Sequence, residues 1–246
     1  MKRFYALLIV ALFAITPSLM AQSASFYNAT RDAEKMIKQM PTENYHRAYF
    51  GINNAHINWK DYSHECEIMY PVKSGITFGY LESYHIVKGL PIFVEYGANL
   101  QYLFGKEELS ELFAGAFGAD YYKTSMFALN IPVNVSMRLS FENNTFAVTP
   151  YAGLNFRVNI SGKQAIEGEE FEQSINLFNG SDDDGAAGDN AFNRIQTGLN
   201  YGIAFSYDVY TISVGRVSDI SRIANIKELS FKGRMGVTTI SVGYAF

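Results

Sequence analysis

The sequence predicts an all-β fold, an eight-stranded antiparallel up-and-down transmembrane β-barrel with a short N-terminal periplasmic helix. Three observations predict it. Residues 127–160 read as a long hairpin with one apolar face, and long and short connections alternate along the chain. Aromatic residues make up 15% of the chain while mean hydropathy stays at −0.04. That combination suits a barrel, in which outward apolar and inward polar positions cancel in the mean and aromatics gather at the membrane rims.

The hairpin sets the register of the rest. With Asn143 and Asn144 as a two-residue turn, which Asn suits because it tolerates positive φ, apolar residues oppose one another throughout. The pairs are Phe141/Phe146, Leu139/Val148, Met137/Pro150, Val135/Ala152, Val133/Leu154, Ile131/Phe156, Leu129/Val158 and Phe127/Ile160. The other face is mostly polar, with Ser136, Asn134, Asn130, Asn155, Arg157 and Asn159. At roughly 3.3 Å per residue and a tilt of about 40°, the apolar face covers about 35 Å, enough for a hydrocarbon core with aromatic rims. A soluble sandwich seldom needs strands this long. The apolar face is therefore expected in lipid.

Taken in order, the chain opens with Lys2 and Arg3, an apolar run over residues 4–15, Pro17 and a small-residue end at Ala21. This is the pattern of a secretory signal peptide over residues 1–21. Residues 22–45 form a periplasmic N-terminal segment in which Ala33, Met36, Ile37 and Met40 fall at helical spacing before Pro41. The helix could plug the barrel or touch a periplasmic partner; a lightly ordered leader near the rim is the simpler expectation, because helices this short are marginal alone.

The barrel domain spans residues 46–246. Its first strand, near Arg47 to Trp59, is irregular, because Asn53, Asn54, His56 and Asn58 break the alternation. Residues 60–73 form a polar loop. Ile76, Phe78, Tyr80, Tyr84 and Ile86 mark the second strand, with Glu82 on the lipid parity and hence near a rim. A turn at residues 88–91 leads to the third strand, with Ile92 to Phe104 apolar on one face. A loop over 105–123 precedes the hairpin, and a Gly-, Asn- and acid-rich loop over 161–193 follows it. The sixth strand sets Ile195, Leu199, Tyr201, Ile203, Phe205 and Tyr207 outward; Asp208 turns the chain into Tyr210, Ile212 and Val214. A polar loop over 217–231 then leads to a last strand with Thr238, Ile240, Val242, Tyr244 and Phe246 on one face. Eight strands with both ends in the periplasm produce this alternation of loops. Ten would follow if 161–193 held another hairpin.

The segments Leu129-Asn130-Ile131-Pro132-Val133, Pro150-Tyr151-Ala152-Gly153-Leu154, Gly198-Leu199-Asn200-Tyr201-Gly202-Ile203 and Ile240-Ser241-Val242-Gly243-Tyr244-Ala245-Phe246 carry a resemblance. In order and spacing, over residues 47–246, the chain resembles the PorT-like outer-membrane β-barrel family. The resemblance implies a small porin-like barrel in the outer membrane of a Gram-negative bacterium. It also implies that the last strand ends in an aromatic signal for the barrel-assembly machinery, here Tyr244 and Phe246, with Ser241 where a Gly is usual. Some members of the family serve a secretion system for surface proteins.

Composition and motifs exclude other classes. Twenty Lys+Arg against 24 Asp+Glu leave no basic footprint for nucleic acid. The lone Cys66 can form neither an internal disulfide nor a Cys-based metal site. His46, His56, His64 and His85 lack metal-ligand spacing, and no Ser, His and carboxylate set converges, so neither catalytic, cofactor nor metal residues are expected. Asp182-Asp183-Asp184-Gly185 lacks the EF-hand ligands at loop positions one and twelve and reads as a solvated loop, which could bridge cations to lipopolysaccharide.

Interior charges need partners. Glu95 and Arg138 lie at matching heights above their turns and are expected to form an ion pair within the lumen. Arg157 and Arg194 approach the outer mouth, where they would form an anion-attracting vestibule unless acidic loop residues neutralise them. Pro132 and Pro150 each remove a ladder donor, so a local bulge or bridging water is expected at each. The function expected is that of a non-enzymatic barrel with a side-chain-filled lumen. Its outer loops would bind an extracellular protein or assist secretion, with outer-membrane lipid and lipopolysaccharide around it. A narrow solute channel and a secreted lipocalin-like container are the alternatives.

Overall fold

The computed structural model describes residues 42–60, 67, 70–108, 120–141, 145–168, 172–178, 192–226 and 231–246. The expected signal peptide, the helix expected over 30–40, His64, Cys66, the expected Asn143-Asn144 turn and the 182–185 acidic run lie outside them.

In chain order the strands are β1 (Tyr45–Lys60), β2 (Ser74–His85), β3 (Ile92–Glu108), β4 (Tyr121–Met137), β5 (Leu139–Phe141), β6 (Phe146–Glu167), β7 (Glu172–Asn176), β8 (Ile195–Tyr207), β9 (Tyr210–Asp219), β10 (Ala224–Ile226) and β11 (Phe231–Ala245). Eight of them are staves, in the order β1-β2-β3-β4-β6-β8-β9-β11, and β1 pairs antiparallel with β11 to close an eight-stranded barrel. The short β5 continues β4 beyond a break, while β7 and β10 pair back on the outer ends of β6 and β11. Eight staves are thus the number expected, and the ten-strand alternative is not met among the described residues, where β7 only pairs back on the outer end of β6. The ends meet at the seam, where the backbones of His46 and Phe246 exchange two hydrogen bonds of 3.0 Å.

Register fixes the tilt. Directly opposed residues run His46, Glu82, Tyr96, Val133, Leu154, Leu199, Ser218, Gly236 and then His56. One circuit therefore climbs ten residues along β1, from position 46 to 56. For eight strands roughly 4.8 Å apart this stagger tilts the strands by about 40°, so each residue rises about 2.5 Å along the axis.

The hairpin register holds from Phe141/Phe146 through Leu139/Val148 and from Val135/Ala152 to Leu129/Val158, and then departs from expectation. A bulge between Phe127 and Ala128 sets Phe127 opposite Ser161 rather than Ile160. Pro132 stays paired with Asn155 without a register shift. Opposite Pro150 the β4 ladder does break, at Arg138, whose N–H is taken instead by the Pro91 carbonyl at 2.9 Å. Gly89 and Asp208 hold two of the inner turns with positive φ, 78° and 52°.

The outward side chains are greasy at the lower levels. Val133, Leu154, Leu199 and Ile240 are 41, 41, 48 and 50% exposed, whereas Asn134, Asn155, Arg157 and Gln196 are buried inside. This orientation removes the lipocalin-like alternative, which required the reverse. Higher up, the polarity inverts. On β1, Asn54, His56, Asn58 and Lys60 point outward while Ala55, Ile57 and Trp59 are buried. They join Tyr70, Val72, Leu103, Phe178, Phe192, Met235 and others in an apolar cluster that caps the lumen. Trp59, Tyr70 and Phe192 pack there as tilted rings with centroids 5.2–6.4 Å apart. The first strand is therefore regular; it merely crosses from one solvent regime to another.

Candidate functional site

The lumen is a column of polar side chains between two buried ion pairs. At the inner end, Arg47 on β1 reaches Glu95 on β3 at 3.9 Å. Glu95 has no exposed surface and accepts hydrogen bonds from the Tyr45 hydroxyl at 2.8 Å and the Ser83 hydroxyl at 3.3 Å. Its expected partner, Arg138, instead lies over the Tyr45 ring at 4.6 Å. In the β3–β4 register Glu95 stands opposite Asn134, four residues along the strand from Arg138, so the two expected partners lie at different heights in the lumen. Arg47 was the missed partner. Its parity on an apparently irregular strand concealed that it points inward.

The middle of the column is an amide ladder. Asn130 donates to Asn99 at 3.0 Å and Asn155 donates to Asn130 at 3.0 Å, while Asn200 donates to Asn134 at 2.9 Å. Tyr49 and Tyr151 fill the width that these shorter side chains leave. Gly202 and Gly215 face each other across β8 and β9, and a Cβ on either would collide with the Tyr151 hydroxyl. The remaining cavity is about 70 Å³, lined by Arg47, Tyr49, Asn99, Asn134, Tyr151 and Asn200 among others. Ligand pockets run to roughly 300–1,000 Å³. This one has space for water.

At the outer end Arg157, 1% exposed, donates to Asp219 at 2.8 Å, to Asn130 at 3.1 Å and to Gln196 at 3.2 Å. The expected anion vestibule is not built from it, because Asp219 at the end of β9 already supplies its counter-charge and the apolar cap lies above. Arg194 is exposed, donates to the Ile160 carbonyl at 3.3 Å and sits over the Phe178 ring at 5.6 Å. The two arginines do not share a site. Asp219 was hidden in what read as a loop, since β9 continues past its last apolar residue.

The closing seam carries the aromatic end of the chain. Phe246 stacks on His46 at 5.8 Å and on Tyr244 at 6.3 Å, and Tyr244 meets Tyr210 edge-on at 5.9 Å. Ser241 points inward and shares a 2.6 Å hydrogen bond with Ser213. Glu82, on the outer wall at the inner rim, accepts a hydrogen bond from Tyr96 at 2.7 Å and faces His46 at 3.7 Å. On the outer wall above the greasy band, Lys73 pairs with Glu107 and Lys123 with Glu167, while Lys106 lies over the Tyr121 ring. Among the described residues no group of three His, Cys, Asp or Glu converges to hold a metal.

No protein-family model and no curated protein matches the sequence. Solved structures do. The attachment invasion locus protein Ail of Yersinia pestis, in complex with the heparin analogue sucrose octasulfate, is 14% identical with a TM-score of 0.44, covering 83% of this chain and 99% of that one. Neisserial surface protein A is 12% identical with a TM-score of 0.38, covering 82% and 97%. The N-terminal β-barrel domain of OprF from Pseudomonas aeruginosa is 8% identical with a TM-score of 0.33, covering 84% and 100%. The barrel assignment for this chain stands on its own closed strand ladder.

Proposed function

We propose that this chain is a non-enzymatic integral protein of a Gram-negative outer membrane, exported by its N-terminal signal peptide and closed along its axis by side chains. Its work is done outside, by the outer strand ends and loops, either binding an extracellular protein or serving the secretion of surface proteins as the PorT-like resemblance suggests. The observation that carries this reading is the pairing of a greasy outer band with a lumen filled by polar side chains and two buried ion pairs, Arg47 to Glu95 and Arg157 to Asp219. A soluble container would bury the band, and an open pore would not fill its bore with an amide ladder.

Two measurements test it. The refolded barrel is expected to run at two gel mobilities in detergent, folded before heating and unfolded after, and to fractionate with outer membrane. In a planar bilayer it is expected to carry no steady unitary current. Regular conductance steps would favour the narrow channel instead, with the central cavity near Tyr49 and Tyr151 as its bore. The terminal Tyr244 and Phe246 act as the signal to the barrel-assembly machinery. Phe246→Ser should therefore slow assembly in cells while leaving refolding of the purified chain unchanged; equal slowing in both would make Phe246 merely a seam residue.

A further inference from the structure

The greasy band is not of even height. On β3, β4, β6 and β8 outward apolar residues continue up to Phe104, Phe127, Ile160 and Ile195, so that the band stands about 30 Å tall at roughly 2.5 Å per residue. On β9, β11 and β1 it stops at Val214, Ile240 and Ile52, about 15 Å above its lower edge by the same rise. A notch is left in the outer wall on either side of the closing seam. Its surface is Arg216, Ser218, Thr238 and Asn54, levels at which β3 and the neighbouring β8 still present Leu100 and Leu199.

Arg216 lies flat in this notch. Its guanidinium donates to Thr238 at 3.3 Å and to Ser218 at 3.4 Å, and it crosses Gly236, where an added Cβ would stand 2.9 Å from Nη2. Above it a cleft of about 280 Å³ opens between β1, β9 and β11, with Lys60, Arg216, Arg222, Lys232 and Arg234 around it. Lys60 is directly opposite Lys232, and Asn58 opposite Arg234. Like charges opposed across a ladder are destabilising, so their clustering calls for an anion. Among the described residues none of the five forms an ion pair, and the cleft's one carboxylate, Asp219, is turned inward to Arg157. Three lysines elsewhere around the wall differ: Lys73 and Lys123 have glutamate partners and Lys106 has an aromatic one.

We propose that the notch binds the phosphate of an anionic glycolipid headgroup in the outer leaflet. Arg216 meets it at the edge of the hydrocarbon and the four cations above take up its remaining charge. Guanidinium groups suit this task because their fixed donor fork matches phosphate oxygens. The site rests on the membrane reading above and deepens it, since it names which lipid class the outer wall selects.

The test uses the full refolded chain in detergent micelles and native mass spectrometry of lipid adducts. The probes are lipid A carrying both phosphates and the same lipid with its phosphates removed; inorganic phosphate serves as a competitor. The phosphorylated lipid should be retained about tenfold more than the dephosphorylated one, an effect worth about 1.4 kcal/mol. Arg216→Gln with Arg234→Gln should abolish that preference, and Lys106→Gln with Lys123→Gln on the far wall should leave it intact. Equal retention of the two lipids, or a preference unaffected by the arginine changes, would overturn the site. Competition by inorganic phosphate at comparable concentration would overturn the lipid as its source. The two-mobility gel assay separates the failures: a wild-type chain that folds and inserts without selecting the phosphorylated lipid sinks this site alone, whereas a wild-type chain that never inserts sinks the membrane reading with it.

Discussion

Arg157 and Asp219 show what a single residue does in this lumen. Both side chains are 1% exposed, and a charge so far from water is tolerable only beside its opposite. Asp219→Asn should therefore destabilise the barrel by about 3–5 kcal/mol, because it leaves the guanidinium buried and uncompensated. Urea unfolding in detergent would measure it. Arg157→Gln added to that variant should recover much of the loss, and a double variant no better than the single would contradict the account. The pair was half legible in the sequence. Arg157 could be placed inside by parity, but Asp219 follows the last apolar residue of its strand, where nothing in the pattern marks the ladder as continuing. The same holds for Glu95. Its burial followed from alternation, whereas its partner Arg47 depended on the tilt and on the β3–β4 register, which side-chain periodicity does not report.

At the scale of the strand, the most instructive departure is the reversal of polarity along β1. Asn54, His56 and Asn58 look like interruptions only if one face must stay apolar from end to end. Above the membrane level the outside meets water and the inside is a cap, so the rule turns over and the alternation itself survives. Strand ends inferred from the greasy face therefore fell short on β3, β4, β6 and β9, each of which runs on beyond the band. The hairpin over 127–160 was legible almost residue by residue, because both its faces keep one sense throughout. The cap makes its own prediction. Trp59→Ala should cost about 3–5 kcal/mol, as for a large aromatic removed from a packed core, even though the residue lies outside the lipid. Thermal unfolding in micelles would check this, and a loss under about 1 kcal/mol would show the cap to be loosely packed.

Viewed as a whole, the molecule is a cylinder with two regimes stacked along its axis, greasy outside and polar inside below, polar outside and greasy inside above. Neither regime alone would specify the fold. The lower one needs lipid to cover Leu199 and its neighbours; the upper one needs a water-free cap to bury Trp59 and Phe192. Their boundary is tilted, high on β3 to β8 and low at the seam, which is why overall composition reads as neither soluble nor membrane-bound. The claim that joins these observations is that the lower outer wall faces hydrocarbon. An arginine scan of outward positions in a barrel refolded into phospholipid vesicles measures it directly. Leu199→Arg should cost about 2–4 kcal/mol of unfolding free energy and Asn54→Arg under about 1 kcal/mol, as expected for mid-plane and interfacial depths. Equal costs at the two positions, or a Leu199→Arg barrel as stable as the parent, would contradict it.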